Sequence, residues 1–196
     1  MLSLNELLEY RIILASKSPR RLSLLKQMGF KVEVVRFDVN EDYPLNIEYF
    51  SIPEYLAEKK AKAFDINKLE DKDILLTADT MVFLNTQTVD KPKDKEDAIS
   101  LLKKLSNQTH QVITGCSLKT KSQTKSFSVK TDVSFKQLTN EEIIYYVENY
   151  KPYDKAGSYG IQGWIGVEKI QGCYYNVMGL PTQEIFNQIN HIINTK

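Results

Sequence analysis

The sequence is short of cysteine, histidine and net charge. Its two cysteines, Cys116 and Cys173, stand far apart and belong to no Cys-x-x-Cys pair, so neither a disulfide framework nor a zinc site is indicated. The 26 Lys and Arg residues nearly balance the 25 Asp and Glu residues, and both signs are interspersed along the chain. This balance argues against a dedicated DNA-binding protein. We expect two reduced, buried thiols.

Long apolar runs are also missing. Residues 1–10 include two acidic side chains and no apolar core of the length that a secretory signal needs. Elsewhere no run approaches the roughly 20 apolar residues that cross a bilayer as a helix. We therefore expect a single domain over residues 1–196 that is cytoplasmic and has neither nucleic acid nor a membrane as a partner.

The apolar pattern alternates between strand-length and helix-length segments. Strands are predicted at 11–16, 31–36, 74–85, 111–118, 126–135, 164–167 and 172–177. Helices are predicted to begin near Pro19, Pro53, Asp94, Thr139 and Thr182. Ser18 and Asp94 are predicted as N-caps, and Thr139 is predicted to form a capping box with Glu142. This alternation predicts an α/β protein, and the hairpin expected from 111–118 and 126–135 makes its sheet mixed rather than purely parallel.

The turn from the first strand into the first long helix concentrates hydrogen-bond donors. Ser16 and Ser18 lie in the turn, and Arg20 and Arg21 lie in the first turn of the helix. Unpaired backbone N–H groups and the positive end of the helix dipole favour an anion there, and guanidinium groups suit phosphate oxygens. An ordinary capped helix with solvated arginines fits the pattern equally well. The spacing of a P-loop is absent.

Lys60 lies near the middle of the apolar face of the second helix. At 100° per residue, Leu56, Ala57, Ala63 and Phe64 fall on the same arc. A lysine in an apolar stripe is costly unless it meets an anion or extends outwards to water. We favour contact with substrate or with a carboxylate over extension to water.

Asp79 interrupts an otherwise apolar strand. Aspartate is depleted in strands and expensive to bury without a partner. Such a residue is often a catalytic base or a carboxylate associated with a metal ion. The structural alternative is a salt bridge or a capped turn.

Other candidate residues give weaker signals one by one. Lys91 precedes a proline in a loop, and the Gly-rich segment 155–163 could let backbone approach a ligand closely. His110 and His191 have no partners at metal-ligand or triad spacing, so we treat both as structural.

Six segments in a fixed order extend over nearly the whole chain. They are LASKSPRR at 14–21, ADTMV at 78–82, KP at 91–92, THQVITG at 109–115, DKAGSYGIQG at 154–163 and NVMGLP at 176–181. Together they closely resemble the Maf family of nucleotide pyrophosphatases. The resemblance implies an inosine triphosphate pyrophosphatase-like α/β fold, with an elongated mixed sheet flanked by helices and a central cleft between two lobes.

The resemblance also implies an activity, the metal-dependent cleavage of a nucleoside triphosphate to its monophosphate and pyrophosphate. Segment 154–163 resembles the subgroup that acts on dTTP and UTP, with CTP or modified pyrimidine triphosphates as further candidates. Two alternatives stay open: a specificity of the 7-methyl-GTP type, and a non-enzymatic nucleotide-binding regulator of cell division and septum formation. A homodimer also stays open.

Motif positions assign roles to individual residues. By resemblance, Asp79 is the general base, and Glu41 is a candidate ligand of a divalent cation, Mg²⁺ or Mn²⁺. The residues expected to bind substrate or to set specificity are Ser16, Arg20, Arg21, Lys60, Thr80, Lys91 and Gln162. Two positions depart from the family pattern: Lys17 stands where a small residue is frequent, and Asn40 stands where an acidic residue is common.

Overall fold

The structure is a computed structural model that describes residues 3–163 and 166–194. The chain divides into two compact units. Unit 1 comprises Met1–Asp79, Thr114–Val129 and Gly179–Lys196, and unit 2 comprises Thr80–Ile113 and Lys130–Met178.

Seven strands, counted over the described residues, form one mixed sheet. They are β1 (Arg11–Ala15), β2 (Lys31–Val35), β3 (Asp73–Leu84), β4 (Gln87–Thr88), β5 (Thr109–Lys119), β6 (Thr124–Phe135) and β7 (Val167–Gln171). The strand order is β2-β1-β3-β5-β6-β7, and β4 pairs with β3. β1 is parallel to β2 and β3, whereas the β3–β4 and β6–β7 pairs are antiparallel. The predicted α/β class and mixed sheet are confirmed.

Helices separate most of the strands. They are α1 (Leu4–Leu8), α2 (Pro19–Gln27), α3 (Ile52–Ala63), α4 (Lys95–Leu105), α5 (Asn140–Tyr150), α6 (Tyr174–Val177) and α7 (Thr182–Asn194), with 3-10 turns at Tyr49–Ser51, Ile66–Lys68 and Ala156–Ser158. The predicted N-caps are present: Ser18 accepts from the Arg21 N–H, Asp94 from the Asp97 N–H, and Thr139 forms a capping box with Glu142. Within the described residues, no helix is long and apolar enough to cross a membrane.

The prediction of a strand over 172–177 is wrong. β7 ends at Gln171, and Tyr174–Val177 form the short helix α6. The cause is tertiary, because the buried Asn176 amide donates to the Val112 carbonyl and to the Thr131 hydroxyl, both at 3.0 Å. The other strand predicted nearby, at 164–167, overlaps β7 only at Val167, and positions 164–165 lie outside the described residues.

Unit 1 packs α3 against its strands. Ala61 of α3 is buried with Ile13, Leu69 and Leu75 in one apolar cluster. The buried Thr77 hydroxyl donates to the Ala57 carbonyl at 2.6 Å, which ties β3 to α3. These contacts fix the face that α3 turns towards β3.

Gly115 allows the first turn of α3 to pack directly against the backbone of β5. A Cβ atom at this position would lie 2.1 Å from the backbone nitrogen of Glu54 and 2.2 Å from the carbonyl carbon of Pro53. Both are backbone atoms, so a side chain could not be accommodated by a change of rotamer. The glycine of segment 109–115 therefore sets the position of α3.

Unit 2 has its own apolar core between α4, α5 and its strands. Its buried residues include Ala98, Leu102, Leu105, Val112, Val133, Phe135, Ile143, Tyr146 and Val147. The inward faces of α4 and α5 follow the helical period that their sequences predict.

Candidate active site

The turn between β1 and α2 lies directly after a buried parallel strand. The Ser16 hydroxyl accepts from the Ser18 N–H at 3.1 Å, and the Ser18 hydroxyl caps α2 by accepting from the Arg21 N–H at 3.5 Å. Ser16 and Ser18 are both partly buried. The carboxyl end of the strand and the N-terminus of the helix thus meet at a serine-lined turn, an arrangement that suits an anion.

Arg21 is bonded to the chain on three sides. Its Nε donates to the Gly179 carbonyl at 2.8 Å, and its Nη1 donates to the Ala78 carbonyl at 2.9 Å and to the Ser16 hydroxyl at 3.2 Å. Burial lowers the pKa of the guanidinium, and the negative charge of Asp79 opposes that shift. Arginine stays protonated in any case. Arg21 therefore joins the serine turn to the residue before Asp79 and to the segment that leads into α7.

Lys60 lies on the inward face of α3, as predicted, but the buried residues of that face differ in part from those expected. Ala61 is buried, whereas Ala63, which was expected on the apolar arc, is exposed. Lys62, also exposed, pairs with Glu58 one turn back. The expected apolar arc is thus wrong at Ala63, because the sheet is contacted through Ala57 and Ala61.

Lys60 lies between two carboxylates. Its Nζ is 2.7 Å from Asp79 Oδ1 and 2.7 Å from Glu41 Oε1. The Lys60 and Asp79 side chains are 18% and 16% exposed, and Glu41 is 63% exposed. Lys60 therefore makes the carboxylate contact that the sequence favoured over extension to water.

The loop that carries Glu41 is held by a second lysine and by its own polar side chains. Lys59 Nζ donates to the Asp42 carbonyl at 2.8 Å. The Asn40 side chain accepts from the Asp42 N–H at 2.8 Å and donates to Asp42 Oδ2 at 2.7 Å. Asn40, which departs from the family pattern, thus forms a local turn beside Glu41.

The carboxylate pair offers oxygen ligands of the kind that a divalent cation takes. Among residues 3–163 and 166–194, no group of three or more His, Cys, Asp or Glu side chains could hold a metal ion. Magnesium, however, is commonly bound through one or two carboxylates together with substrate phosphates and water. Glu41 and Asp79 supply two such carboxylates around one positive charge.

Unit 2 carries the other predicted site residues. Thr80 is partly buried in β3, and Lys91 and Gln162 are exposed in loops. The Gly157 N–H donates to the carbonyls of Val89 and Asp90, at 3.0 and 3.2 Å. These two hydrogen bonds hold the Gly-rich segment against the residues that precede Lys91. Gly157 has φ +74°, a conformation that favours glycine.

Buried aromatic side chains anchor the segment that contains Gln162. The Tyr159 hydroxyl is 2.7 Å from His110 Nε2, and Phe135 packs edge-on against both rings. The Gly160 N–H donates to the Tyr146 hydroxyl at 2.9 Å. Burial lowers the pKa of His110 to about 4 and raises the pKa of Tyr159, so both are neutral near pH 7.

Two of these supporting contacts were not predicted from the sequence: the bond from the Gly160 N–H to the Tyr146 hydroxyl, and the pairing of His110 with Tyr159. The spacing of Ile143 and Tyr146 on α5 placed Tyr146 on the buried face, where a hydroxyl needs a partner. That signal could have pointed to an anchor.

Two buried thiols were expected, and Cys116 is buried. The expectation is wrong for Cys173, which is only partly buried because it lies between β7 and α6. Burial raises the pKa of Cys116 to about 12, so this thiol is protonated and unreactive at neutral pH.

The fold and the residues of unit 1 define an α/β protein with a serine-lined helix N-terminus and a lysine held between two carboxylates. The family model described as Maf-like protein matches residues 11–192. The chain belongs to the Maf family.

Several relatives are similar over almost their whole length. A dTTP/UTP pyrophosphatase of Parabacteroides distasonis is 46% identical over 192 residues, covering 96% of this chain and 99% of that protein. A dTTP/UTP pyrophosphatase of Phocaeicola vulgatus is 47% identical over 193 residues, covering 96% and 100%. A solved structure of a nucleoside-triphosphatase (dITP/XTP pyrophosphatase) from Mycobacterium abscessus gives a TM-score of 0.39 at 15% identity, covering 64% of this chain and 72% of that one.

Proposed function

We propose that this chain is a nucleoside triphosphate diphosphatase that hydrolyses dTTP and UTP to the monophosphate and pyrophosphate. The observation that carries the proposal is the Asp79 carboxylate, which projects from the centre of a core strand and is held at 2.7 Å by Lys60. The relatives named dTTP/UTP pyrophosphatase, 46% and 47% identical over nearly the full chain, support the substrate class.

Asp79 acts as the general base. A water molecule that attacks the α-phosphorus gives its proton to the Asp79 carboxylate, and pyrophosphate leaves with the bridging oxygen. The Asp79 carboxylate accepts a hydrogen bond from Lys60 Nζ at 2.7 Å, and the Thr77 hydroxyl ties the strand that carries Asp79 to α3. Base catalysis of this kind contributes about 10²–10⁴-fold to a rate.

Phosphate binding is assigned to the cationic and hydroxyl groups. In unit 1 the serine turn offers Ser16 and the backbone N–H groups of α2, with Arg20 beside them. Lys60, also in unit 1, is assigned to phosphate binding as well. In unit 2 the exposed Lys91 binds phosphate. Thr80 and Gln162 are assigned to selection of the nucleobase. The amide of Gln162 offers both a donor and an acceptor to the edge of a pyrimidine.

Glu41 and Asp79 are the residues that would hold a divalent cation. Mg²⁺ or Mn²⁺ suits such an all-oxygen donor set. When bound, the cation supplies positive charge that neutralises charge developing on the phosphate oxygens.

The test is a panel of triphosphates incubated with the purified protein and Mg²⁺, with pyrophosphate as the readout. We expect release from dTTP and UTP at rates well above those for ATP and GTP. Release from 7-methyl-GTP, with none from dTTP, UTP or CTP, would contradict the proposed specificity. Nucleotide binding without release from any triphosphate would favour a non-enzymatic regulator.

A further inference from the structure

One ammonium group holds both candidate metal-binding carboxylates. Lys60 Nζ is 2.7 Å from Glu41 Oε1 and 2.7 Å from Asp79 Oδ1. Glu41 lies on a loop and Asp79 on a strand, so Lys60 links two segments that are distant in sequence. Its charge stands where a cation shared by the two carboxylates would stand.

A divalent cation and this ammonium compete for the same pair of carboxylates, Glu41 and Asp79. Both are cations, and like charges at such short separation repel strongly in a partly buried site. Lys60 is only partly exposed, so water screens this repulsion less than it would at the surface. Binding of a divalent cation to Glu41 and Asp79 is therefore disfavoured while the ammonium stays in this position.

We propose that Lys60 is a resident counter-ion that keeps the divalent cation out until a triphosphate binds. This inference rests on the proposed function, because the phosphate oxygens are the anions to which the ammonium moves. When it moves, Glu41 and Asp79 become available to the metal. Metal and nucleotide then bind cooperatively, and each raises the affinity for the other by the same factor.

The surroundings of Glu41 suit this exchange. Its loop keeps two anchors that do not depend on Lys60: Lys59 Nζ bonds to the Asp42 carbonyl, and Lys17 Nζ pairs with Asp38 at 2.9 Å. Glu41 therefore stays near Asp79 when the ammonium leaves. The flexible stem of a lysine can move its charge by several ångströms without a change in the backbone.

The test measures Mn²⁺ binding without nucleotide, by the electron paramagnetic resonance signal of free Mn²⁺. The variants are Lys60→Gln, which removes the charge but keeps a hydrogen-bond donor, and Lys62→Gln, a matched control on the exposed face of α3. We expect Lys60→Gln to bind Mn²⁺ about tenfold or more tightly than the wild type, within the usual range of coupling between sites. Lys62→Gln should bind Mn²⁺ as the wild type does.

A second arm adds a dTTP analogue with a non-hydrolysable α,β-methylene link. The analogue should raise the Mn²⁺ affinity of the wild type by about tenfold or more and that of Lys60→Gln by much less. Equal or weaker Mn²⁺ binding by Lys60→Gln than by the wild type, without nucleotide, would overturn the inference. The first arm uses neither nucleotide nor turnover, so its failure is distinct from a failure of the proposed activity, which would appear as no pyrophosphate release from any triphosphate.

Discussion

At the scale of single residues, polar side chains in the interior of this protein bond to its backbone. Arg21 was expected from the family resemblance to bind substrate, and that expectation stays a prediction. Its donors at Nε and Nη1 are bonded to two carbonyls and one hydroxyl of the chain. A planar fork can make such a set of bonds, whereas a lysine cannot.

The first prediction concerns Arg21→Lys. We expect kcat to fall by about tenfold or more, because the peptide before Asp79 loses its anchor, while KM changes little. The free energy of unfolding should fall by about 2 kcal/mol or more, since buried carbonyls lose their donors. Steady-state kinetics and urea unfolding measure the two effects. Arg36→Lys, at an exposed position, is the control. A rise in KM alone for Arg21→Lys, with unchanged stability, would show that Arg21 binds phosphate instead.

The second prediction concerns the neutral His110. The pKa of His110 is lowered from its ordinary 6.5 to about 4 by burial, so the unfolded chain binds a proton between these values and the folded chain does not. The free energy of unfolding therefore does not depend on His110 above about pH 6.5. Between about pH 6.5 and pH 4 it decreases as the pH falls, by up to about 3 kcal/mol in total.

His110→Gln should flatten this dependence, because its amide cannot be protonated but can still bond to Tyr159. Urea unfolding between pH 7.5 and 5 compares the two proteins. If both lose stability with the same slope, the pKa of His110 is not lowered as described.

At the scale of elements, the caps and the apolar faces could be predicted, whereas contacts made by single atoms could not. Ser18, Asp94 and Thr139 were predicted as caps because their signals are local. The inward position of Lys60 followed from the helical period, but the burial of Ala61 rather than Ala63 depends on where the sheet lies. Helix α6 was missed because long-range bonds of Asn176 decide it.

The third prediction concerns Gly115, the point of close approach between β5 and α3. Gly115→Ala places a methyl group 2.1 Å from the backbone nitrogen of Glu54, so α3 must shift. We expect a loss of about 3 kcal/mol or more in the free energy of unfolding. Activity should also fall, because α3 carries Lys60.

Ser128→Ala is the matched control for this close approach. It removes one exposed 3.1 Å hydrogen bond to the Glu54 side chain and introduces no clash. Its effect on stability should stay below about 1 kcal/mol. Unfolding by urea compares the two variants, and equal losses would show that the backbone at Gly115 adapts freely.

At the scale of the whole molecule, residues from distant motifs meet in unit 1. Ser16, Glu41, Lys60 and Asp79 could each be named from the sequence, by local chemistry or by resemblance. That one ammonium joins Glu41 to Asp79 could not be predicted, since no pattern in a single sequence reports the pairing of a loop with a strand. The same holds for the bonds from Arg21 to Ala78 and Gly179. The central cleft implied by the family resemblance stays a prediction.

The fourth prediction tests the central claim, that Asp79 is the base of a pyrimidine triphosphate pyrophosphatase. Pyrophosphate release from dTTP with Mg²⁺ is measured for the wild type, Asp79→Asn and the control Asp71→Asn, whose carboxylate pairs with Lys121 at the surface. We expect a rapid rate for the wild type and the control, and a loss of about 10²-fold or more for Asp79→Asn in a protein that still folds. Full activity of Asp79→Asn would contradict the account.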